Sequence, residues 1–529
     1  MDWESEKTLT GRFGRIIKRY GDQTALIYQD TIMTYRELYR ASCRVAHALI
    51  DQGVERQSLV AVWMSNSIEF VVVDMALILL GETRIPLNDM LSIHEVSHIL
   101  HDSKAQLLIA GEQFVQQIEE RRGNFPELSS VIGMVPQHVC GPGVIAWESW
   151  LAGKVDTDIE VQSEARDIAL IVYTGGTTGA PKGVMHSQEN LVANVLSHII
   201  ELEMQDNERI LLTSPLPHSA GMVMTAGLAK GAVHVIERKF DPDQVLMRIA
   251  TERVTLTFMV PTMIYRVIDR IEERLREGVT YDLQSLRTIL YGAAPITQSR
   301  LSRALEVFGP VFTQLYGQTE APNFIARLRK EDHQVTGPHA YRLRSCGQAV
   351  LMADLRVLSE TGEIQQPGLP GEVVVHTPYN MVGYLHLPQQ TEQTLRDGWL
   401  HTGDIGYLDE DGYLFLLDRK KDVIISGGMN VYSSEIESVL QKHPDILLAT
   451  VIGVPDEDWG EAVFAWIVAR PGMTITEQDV AEHCNDHLSK YKRPKQVVIV
   501  EQLPLTPYGK VDKKKLREQF WKDEQRSIH

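Results

Sequence analysis

Tyr173-Thr174-Gly175-Gly176-Thr177-Thr178-Gly179-Ala180-Pro181-Lys182-Gly183 follows directly on the apolar run 168–172, whose composition and boundaries predict a buried strand. A strand that ends in glycines, threonines and a lysine is suited to phosphate. Glycines let backbone N–H groups approach an anion, hydroxyls add donors, and the lysine adds a positive charge. The common P-loop differs, because it has a glycine directly before its lysine and a Ser or Thr after it. The stretch alone therefore predicts a phosphate-binding loop, with an ordinary surface loop as the alternative.

Outside this stretch, strand-like and helix-like segments alternate over most of the first four hundred residues. The alternation predicts α/β layers with much parallel pairing. The predicted strands are 58–63, 233–236, 256–259, 288–291 and 310–316, and the clearest predicted helices are 67–80 and 241–252. The second helix begins with Asp-Pro, a typical start signal.

The pattern of predicted elements changes twice nearer the C-terminus. From about residue 351, short strands with glycine turns predict a β-rich subdomain, as at 371–376. Beyond 418–422, a helix at 435–440 and strands at 447–452 and 462–468 predict a small α+β unit. The expected fold is α/β: a large N-terminal domain of layered α/β subdomains with a β-rich subdomain, followed by a small α+β C-terminal domain.

Length, charge and cysteine usage narrow the functional class. A chain of 529 residues is too long for one hydrophobic core, so two or more domains are expected. A net charge of −18 argues against nucleic-acid binding, because no basic excess exists to replace phosphate counterions. The longest apolar run, 70–80, is too short for a membrane span. Four cysteines stand at no metal or redox spacing: Cys43, Cys140, Cys346 and Cys484. Together with the acidic N-terminus, these features predict a cytoplasmic protein.

Seven further segments combine glycines with polar or charged side chains in a fixed order along the chain. They are Pro215-Leu-Pro-His218-Ser-Ala-Gly221, Tyr291-Gly292-Ala293-Ala294-Pro295, Leu315-Tyr316-Gly317-Gln318-Thr319-Glu320, Gly371-Glu372 with Met381-Val-Gly-Tyr384, Gly398-Trp-Leu-His-Thr-Gly-Asp404, Asp418-Arg419-Lys-Lys421-Asp-Val-Ile-Ile-Ser426-Gly427-Gly428, and Pro504-Leu-Thr506-Pro-Tyr508-Gly509-Lys510. With the phosphate loop, this set resembles the adenylate-forming superfamily of acyl-CoA synthetases, adenylation domains and beetle luciferases. It is most similar to the fatty acyl-CoA synthetases. The resemblance extends from residue 21 to residue 514.

The resemblance implies a two-step reaction that uses ATP, Mg²⁺ and coenzyme A. A carboxylate attacks the α-phosphorus of ATP to give acyl-AMP and pyrophosphate. The thiol of coenzyme A then displaces AMP to give a thioester. Because the substrate supplies its own nucleophile, the protein mainly positions the reactants and stabilises charge.

The resemblance also implies roles for individual residues. The expected phosphate ligands are Thr174, Gly175, Gly176, Thr177, Thr178, Gly179 and Lys182. The expected nucleotide site comprises Gly292, Ala293, Ala294, Gln314, Leu315, Tyr316 and Thr319, with Asp404 and Arg419 at the ribose. Glu320, with Thr174 or Thr319, is the expected Mg²⁺ ligand, since Mg²⁺ prefers oxygen donors. His218 is expected where the acyl pocket meets the thiol tunnel, and Lys510 at the α-phosphate and the reacting carboxylate.

A division into two domains, 1–418 and 419–529, follows from the same resemblance. The C-terminal domain is expected to rotate on a hinge near Lys421. One orientation places Lys510 for adenylation, and the other replaces it with the loop of Gly427 and Gly428, which opens the pantetheine tunnel.

Simpler interpretations exist when each residue is considered alone. Glu320 could be an acid at a helix start, favoured there by the helix dipole. Asp404 could cap a turn. His218 could be a loop residue, Lys510 one solvated charge among several, and the glycine pair of Ser426-Gly427-Gly428 a plain turn.

The residues expected around the acyl group bear on the identity of the acid. Candidate pocket residues are predominantly apolar: His218, Met222, Val223, Met224, Ala294, Pro295, Gln318, Ala321, Pro322 and Asn323. This bias favours a hydrophobic acid, with a medium- or long-chain fatty acid preferred over an aryl acid. An amino acid is disfavoured, because no carboxylate stands near 214–224 to pair with an ammonium group.

The acceptor and the class of activity also have alternatives. No carrier domain follows Lys510, which favours free coenzyme A. The alternatives are a stand-alone ligase that loads acyl-AMP onto a carrier protein, an aryl-acid CoA ligase, a luciferase-like oxygenase and a catalytically inactive nucleotide-binding protein. The sequence does not decide the oligomeric state, and a homodimer is one alternative.

Overall fold

A computed structural model describes residues 5–141, 143–159, 163–174, 181–294, 296, 298–505 and 511–521. The described residues form two compact units. The first contains residues up to 174, 181–355 and 375–400, and the second contains 356–374 and those from 401 onward. The domain boundary expected at 418 stays a prediction. In the described part of the chain, no helix combines the length and the hydropathy that crossing a membrane requires.

The elements are numbered in chain order. The helices are α1 (Leu9–Tyr20), α2 (Tyr35–Asp51), α3 (Ile68–Leu80), α4 (Ile93–Ser103), α5 (Glu112–Glu119), α6 (Trp147–Leu151), α7 (Gln188–Glu201), α8 (Gly221–Lys230), α9 (Pro242–Glu252), α10 (Pro261–Arg276), α11 (Gln298–Phe308), α12 (Pro388–Thr394), α13 (Ser433–Leu440), α14 (Glu477–His487) and α15 (Lys513–Arg517). The strands are β1 (Thr24–Tyr28), β2 (Thr31–Thr34), β3 (Leu59–Trp63), β4 (Thr83–Leu87), β5 (Leu107–Ala110), β6 (Ser130–Gly133), β7 (Val144–Ala146), β8 (Ile168–Thr174), β9 (Lys182–Ser187), β10 (Arg209–Leu212), β11 (Val233–Ile236), β12 (Leu256–Met259), β13 (Thr288–Gly292), β14 (Phe312–Gln318), β15 (Ala321–Leu328), β16 (Gln348–Ala349), β17 (Asp354–Leu358), β18 (Gly371–His376), β19 (Gly383–Tyr384), β20 (Leu395–Arg396), β21 (Trp399–Leu408), β22 (Leu414–Arg419), β23 (Ile424–Ser426), β24 (Met429–Val431), β25 (Ile446–Asp456), β26 (Gly460–Ala469) and β27 (Gln496–Ile499).

Two mixed sheets organise the first unit. The strand order of one sheet is β16-β15-β14-β13-β12-β10-β11-β1-β2, and that of the other is β19-β9-β8-β4-β3-β5-β6-β7. The run from β14 to β1 is parallel throughout, as is the run from β8 to β7. Helices α2 and α3 pack against each other, as do α7 and α8. The predicted α/β layering is therefore confirmed, and the layers contain two sheets.

Local signals in the sequence account for the helix ends. Ser67 accepts a hydrogen bond from the backbone N–H of Phe70 and so caps the start of α3, whose side chains are almost all buried. Gly81 ends that helix in the left-handed conformation, which glycine adopts without a steric penalty. Asp241 caps α9 in the same way, and Pro242 occupies the first helical turn. The helices predicted at 67–80 and 241–252 are confirmed.

The second unit contains most of a five-stranded sheet of order β17-β18-β21-β20, with β22 beside β21. Its C-terminal part is a second five-stranded sheet of order β24-β23-β26-β25, with β27 beside β26. Helices α13 and α14 pack on each other there, over a core that includes Ile436, Leu440 and Val480. The strands predicted at 447–452 and 462–468 are present but extend further in both directions, as β25 and β26.

Four buried histidines stay neutral in the first unit. Burial lowers the pKa of each of them to about 4, and the group consists of His186, His198, His234 and His333. Hydrogen bonds to carbonyl oxygens oppose that shift at each position, and Asp332 also opposes it at His333. Burial dominates because a charged imidazolium is costly away from water.

We expect these histidines to make the first unit sensitive to acid. Between pH 6.5 and 4 the unfolded chain binds protons at them and the folded chain does not, so stability falls as the pH falls through this window. Each histidine contributes about 1.4 kcal/mol per pH unit to that slope. His234→Asn should reduce the slope of the unfolding free energy by up to about this amount, measured by urea unfolding from pH 4.5 to 7.5. The matched control is His94→Asn at an exposed position, and equal slopes in both variants would contradict the expectation.

Candidate active site

The predicted phosphate loop joins two antiparallel strands. Thr174, the last residue of β8, lies opposite Lys182, the first residue of β9. The two ends of the loop are therefore held side by side by backbone pairing. The predicted ligands Gly175, Gly176, Thr177, Thr178 and Gly179 lie outside the described residues.

Glu320 lies at a two-residue turn between strands. Gln318 of β14 pairs with Ala321 of β15, which leaves Thr319 and Glu320 as the turn. The alternative that Glu320 is an acid at a helix start is therefore wrong, because no helix follows it. His186 Nε2–H donates to the carbonyl oxygen of Thr319 over 2.9 Å, which anchors the turn to β9.

The structure brings Glu320 and Lys182 to one side chain, that of Tyr384. The Tyr384 hydroxyl donates to Glu320 Oε1 over 2.7 Å, and Lys182 Nζ lies 5.0 Å from the centre of the Tyr384 ring. No described residue forms a hydrogen bond with Oε2 of Glu320. A carboxylate oxygen with no hydrogen-bond partner among the described residues, on a side chain that shares Tyr384 with a lysine, fits the donor chemistry of Mg²⁺ bound with phosphate. Tyr384 ends the motif Met381-Val-Gly-Tyr384, but the sequence alone indicates no role for it.

The predicted nucleotide residues lie on two adjacent parallel strands, β13 and β14. Gly292 pairs with Leu315, and a Cβ on Gly292 would lie 2.5 Å from the carbonyl oxygen of Leu315, so that position requires glycine. Ala293 follows with a φ of 64°, and Ala294 comes next. Tyr316 is buried.

Two of the predicted nucleotide residues have side chains engaged within the protein. Gln314 Oε1 accepts a hydrogen bond from the Tyr291 hydroxyl over 3.1 Å. Leu315 is buried in the main hydrophobic core. The roles of Gln314 and Leu315 at a nucleotide therefore stay predictions.

His218 lies in a π-helical turn, Leu216–Ala220, and itself has non-helical backbone angles. A Cβ on Gly221 would approach the carbonyl oxygen of Leu216 to 2.2 Å, so the turn closes only with glycine there. Asn66, which is buried, donates to the carbonyl oxygen of Ser214 and accepts from the N–H of Leu216, both at 2.9 Å. Asn66 thus fixes the segment that carries His218, and sequence reasoning missed it because the contact spans 150 residues.

A second buried polar contact lies beside this turn. Asn323 Nδ2 donates to His198 Nε2 over 2.8 Å and approaches the carbonyl oxygen of Ser219 at 3.3 Å. His198 Nδ1–H donates to the carbonyl oxygen of Asn194, so its Nε2 is the acceptor. Of the other candidate pocket residues, Val223 and Met224 are fully buried in the main core. Asn323, predicted as a pocket residue, therefore ties the His218 segment to α7.

In the second unit, Asp404 and Arg419 face each other across β21 and β22. Arg419 Nε and Asp404 Oδ1 lie 2.6 Å apart, and the Asp404 side chain is only 7% exposed. The hydroxyl oxygen of Thr402 accepts a hydrogen bond from the backbone N–H of Asp404. Asp404 is thus part of a strand and an ion pair rather than a turn cap. Burial is the main cause that lowers the pKa of Lys421, two residues after Arg419.

Gly427 and Gly428 form the turn between β23 and β24, with φ values of 58° and 77°. Two consecutive positive φ angles in a two-residue hairpin favour glycine strongly. A Cβ on Gly427 would also lie 2.6 Å from the ring of Trp459, whose carbonyl oxygen accepts the Gly427 N–H. The glycines therefore have a sufficient structural reason as a tight turn, and their role at a thiol tunnel stays a prediction.

A buried charge cluster lies on both sides of Lys421 in sequence. Its members are Asp418, Asp422, Glu437, Lys513 and Arg517. Lys513 Nζ lies 2.8 Å from Glu437 Oε1 and donates to Ser433 Oγ over 2.7 Å. Arg517 Nη2 lies 2.6 Å from Asp422 Oδ1. Burial would lower the pKa of Lys513, but Glu437, Asp418 and Asp422 together raise it. Lys510, three residues before Lys513, lies outside the described residues.

The two sheets, the paired ends of the phosphate loop and the Glu320 turn of the first unit, and the Asp404–Arg419 pair of the second, are each compatible with the expected adenylate-forming enzyme. Comparisons with known proteins agree. Residues 13–385 match the AMP-binding enzyme family, and residues 435–510 match the AMP-binding enzyme C-terminal domain. The chain belongs to the AMP-binding enzyme family.

Three relatives illustrate the range of this family. The chain is 34% identical over 523 residues to the medium/long-chain-fatty-acid–CoA ligase FadD8 of Mycobacterium tuberculosis, covering 97% of this chain and 90% of the relative. It is 36% identical over 499 residues to the feruloyl-CoA synthase of an Amycolatopsis species, covering 94% and 96%. The solved structure of the amide bond synthetase McbA of Marinactinospora thermotolerans is 31% identical, with a TM-score of 0.86 and coverage of 97% and 100%.

These findings confirm the expected class of reaction. The protein is an AMP-forming acid–CoA ligase that uses ATP and Mg²⁺ as well as coenzyme A as co-substrate.

Proposed function

We propose that the acid is a hydrophobic monocarboxylic acid, with a medium- or long-chain fatty acid as the first candidate. One observation carries the proposal. Between Arg209 and Lys230 the chain contains no Asp, Glu, Lys or Arg, and this segment includes His218 and the start of α8. An acid with a second carboxylate would bring a charge to a segment that offers no cation, at a large desolvation cost.

An aryl acid is the second candidate, favoured by the 36% identity to feruloyl-CoA synthase. Either acid has an apolar body and a single carboxylate, so both fit the uncharged segment.

For the reaction, we assign Lys182, Thr174 and the glycine-rich loop to the β- and γ-phosphates. Glu320 would hold Mg²⁺, which neutralises phosphate charge when it is bound. Asp404, which forms an ion pair with Arg419, would accept hydrogen bonds from the ribose hydroxyl groups. His218, held by the turn that Gly221 and Asn66 define, would lie where the acyl pocket meets the thiol tunnel.

The test measures pyrophosphate release from Mg²⁺·ATP with matched acids, with and without coenzyme A. Octanoate and suberate have the same chain length, but suberate carries a second carboxylate. We expect octanoate to be used with a kcat/KM at least about 100-fold higher, since burying an unpaired carboxylate costs several kcal/mol. Palmitate and ferulate distinguish the aliphatic from the aryl acid.

Three results would change the proposal. Equal use of octanoate and suberate would contradict a monocarboxylic acid. Pyrophosphate release that coenzyme A does not stimulate would contradict coenzyme A as the acceptor, and a carrier protein or an amine would then be tried. Preference for ferulate over both fatty acids would replace the first candidate by the second.

A further inference from the structure

The turn that carries Glu320 has little structure of its own to orient the carboxylate. Thr319 and Glu320 alone connect β14 to β15, and the ladder shifts register directly before the turn, between Tyr316 and Gln318. A catalytic carboxylate at such a place needs outside contacts, because an unrestrained side chain loses rotamer entropy when it binds a ligand.

The segment 381–385 supplies these contacts twice. The N–H of Met381 donates to the carbonyl oxygen of Glu320 over 2.7 Å, and the hydroxyl of Tyr384 donates to Oε1 of the same residue over 2.7 Å. The main chain and the side chain of Glu320 are therefore both held by one short segment. A hydrogen bond to an ionised carboxylate is among the stronger ones in proteins.

The segment is itself attached to the strand that begins with Lys182. Tyr384 pairs with Val184 between β19 and β9, and the N–H of Leu385 donates to the carbonyl oxygen of Gly183 over 2.8 Å. The N–H of Tyr384 donates to Thr391 Oγ1 over 2.9 Å. The main chain of Tyr384 is therefore attached to β9, and the residue is buried, being 7% exposed.

The same ring is the contact of the Lys182 ammonium, at 5.0 Å from its centre. An ammonium group at this distance is attracted to the face of the ring. Tyr384 therefore holds a cation by its ring and an anion by its hydroxyl. One side chain therefore contacts both charged groups.

We infer that Tyr384 is a positioning residue for Mg²⁺·ATP. Its hydroxyl occupies Oε1 of Glu320, which leaves Oε2 for the metal, and its ring holds Lys182 for the phosphates. This inference rests on the roles proposed above for Glu320 and Lys182. It predicts that removing one oxygen atom from Tyr384 weakens the binding of Mg²⁺·ATP but not that of ATP without metal.

The experiment uses calorimetric titration of the full chain with ATP, with no acid present, in the presence of Mg²⁺ and in the presence of EDTA. Tyr384→Phe keeps the ring and the contact with Lys182 and removes only the hydroxyl. We expect its Kd for Mg²⁺·ATP to rise about 10-fold or more, the effect of losing one hydrogen bond to a charged group. The affinity for metal-free ATP should not change.

The matched control is Tyr379→Phe. Tyr379 lies five residues earlier, is fully buried, and donates its hydroxyl to the carbonyl oxygen of Phe324. Its variant should lose stability without a change in Mg²⁺·ATP affinity. Glu320→Gln provides a second comparison, because in its background Tyr384→Phe should have no further effect.

The outcomes separate this inference from the proposed function. Wild-type affinity of Tyr384→Phe for Mg²⁺·ATP, or an equal loss with and without Mg²⁺, would overturn the positioning role while acid-dependent pyrophosphate release stayed intact. If no acid of the panel is activated, the proposed substrate class fails, and the calorimetric result still decides the role of Tyr384. A full effect of Tyr384→Phe in the Glu320→Gln background would also contradict the inference.

Discussion

Replacing Lys510 with alanine is expected to slow formation of acyl-AMP by about 100-fold or more while leaving the second half-reaction nearly unchanged. The resemblance places this lysine at the α-phosphate and the reacting carboxylate, where negative charge accumulates as the bond to phosphorus forms. Removing one donor that stabilises developing charge typically lowers kcat by 10²–10³-fold. The thioester step transfers the acyl group after pyrophosphate has left, so it does not need this charge.

The two half-reactions are measured separately. Pyrophosphate release in a single turnover reports adenylation, and thioester formation from supplied acyl-AMP and coenzyme A reports the second step. The matched control is Lys514→Ala, since the Lys514 side chain is 43% exposed and lies 3.9 Å from the carboxylate of Glu518. Equal losses of both half-reactions in Lys510→Ala would contradict a role confined to adenylation, and with it the two-orientation hypothesis around Lys421.

The architecture could be predicted because its signals are local. The buried strand before the phosphate loop, the Ser67 cap of α3 and the Asp-Pro start of α9 all act within a few residues. The division of the first unit into two sheets could not be predicted, because strand order depends on packing between distant segments. The turn at Glu320 shows the same limit, because an acid after Gly-Gln-Thr is compatible with a helix start and with a hairpin.

The site was predicted as a set of motifs, whereas the contacts among them depend on tertiary structure. Tyr384 is 64 residues from Glu320, and Asn66 is 150 residues from Leu216. A single sequence contains no signal that links such pairs. The pKa shift of His186 is equally hidden, since its cause is burial. Gly427 and Gly428 fit both a plain turn and a role at a thiol tunnel when only the sequence is considered. Their positive φ angles provide the structural reason for the turn.

The largest effect on stability is expected for Lys513→Met in the buried charge cluster. The Lys513 and Glu437 side chains are four-fifths buried, and Asp418 and Asp422 add negative charge around the same ammonium group. Removing the lysine leaves Glu437 and Asp418 buried without their main cation. Breaking a buried ion pair on one side costs about 3–5 kcal/mol, because the remaining charge stays desolvated.

The measurement is urea unfolding of the full chain, with Lys514→Met as the matched control. The control removes the next lysine in sequence, whose side chain is partly exposed, and it should change the unfolding free energy by no more than about 0.5 kcal/mol. A double variant, Lys513→Met with Glu437→Met, should recover part of the loss, since replacing both partners by apolar side chains is often nearly neutral. If the double variant loses the sum of the two single effects, the two side chains act independently and the proposed coupling is wrong.

This cluster also attaches the residues around Lys421 to two segments that lie further along the chain. Asp418 accepts the backbone N–H of Ser433, and Asp422 pairs with Arg517, so both sides of Lys421 are attached to the C-terminal segments 433–440 and 513–517. Loss of Lys513 should therefore increase local opening around Lys421 under conditions in which the rest of the second unit stays folded. Hydrogen exchange tests this directly: in Lys513→Met the amides of residues 418–426 should exchange faster at urea concentrations well below the unfolding midpoint. Unchanged exchange there, with faster exchange only in α13 and α15, would show that the cluster stabilises the helices alone.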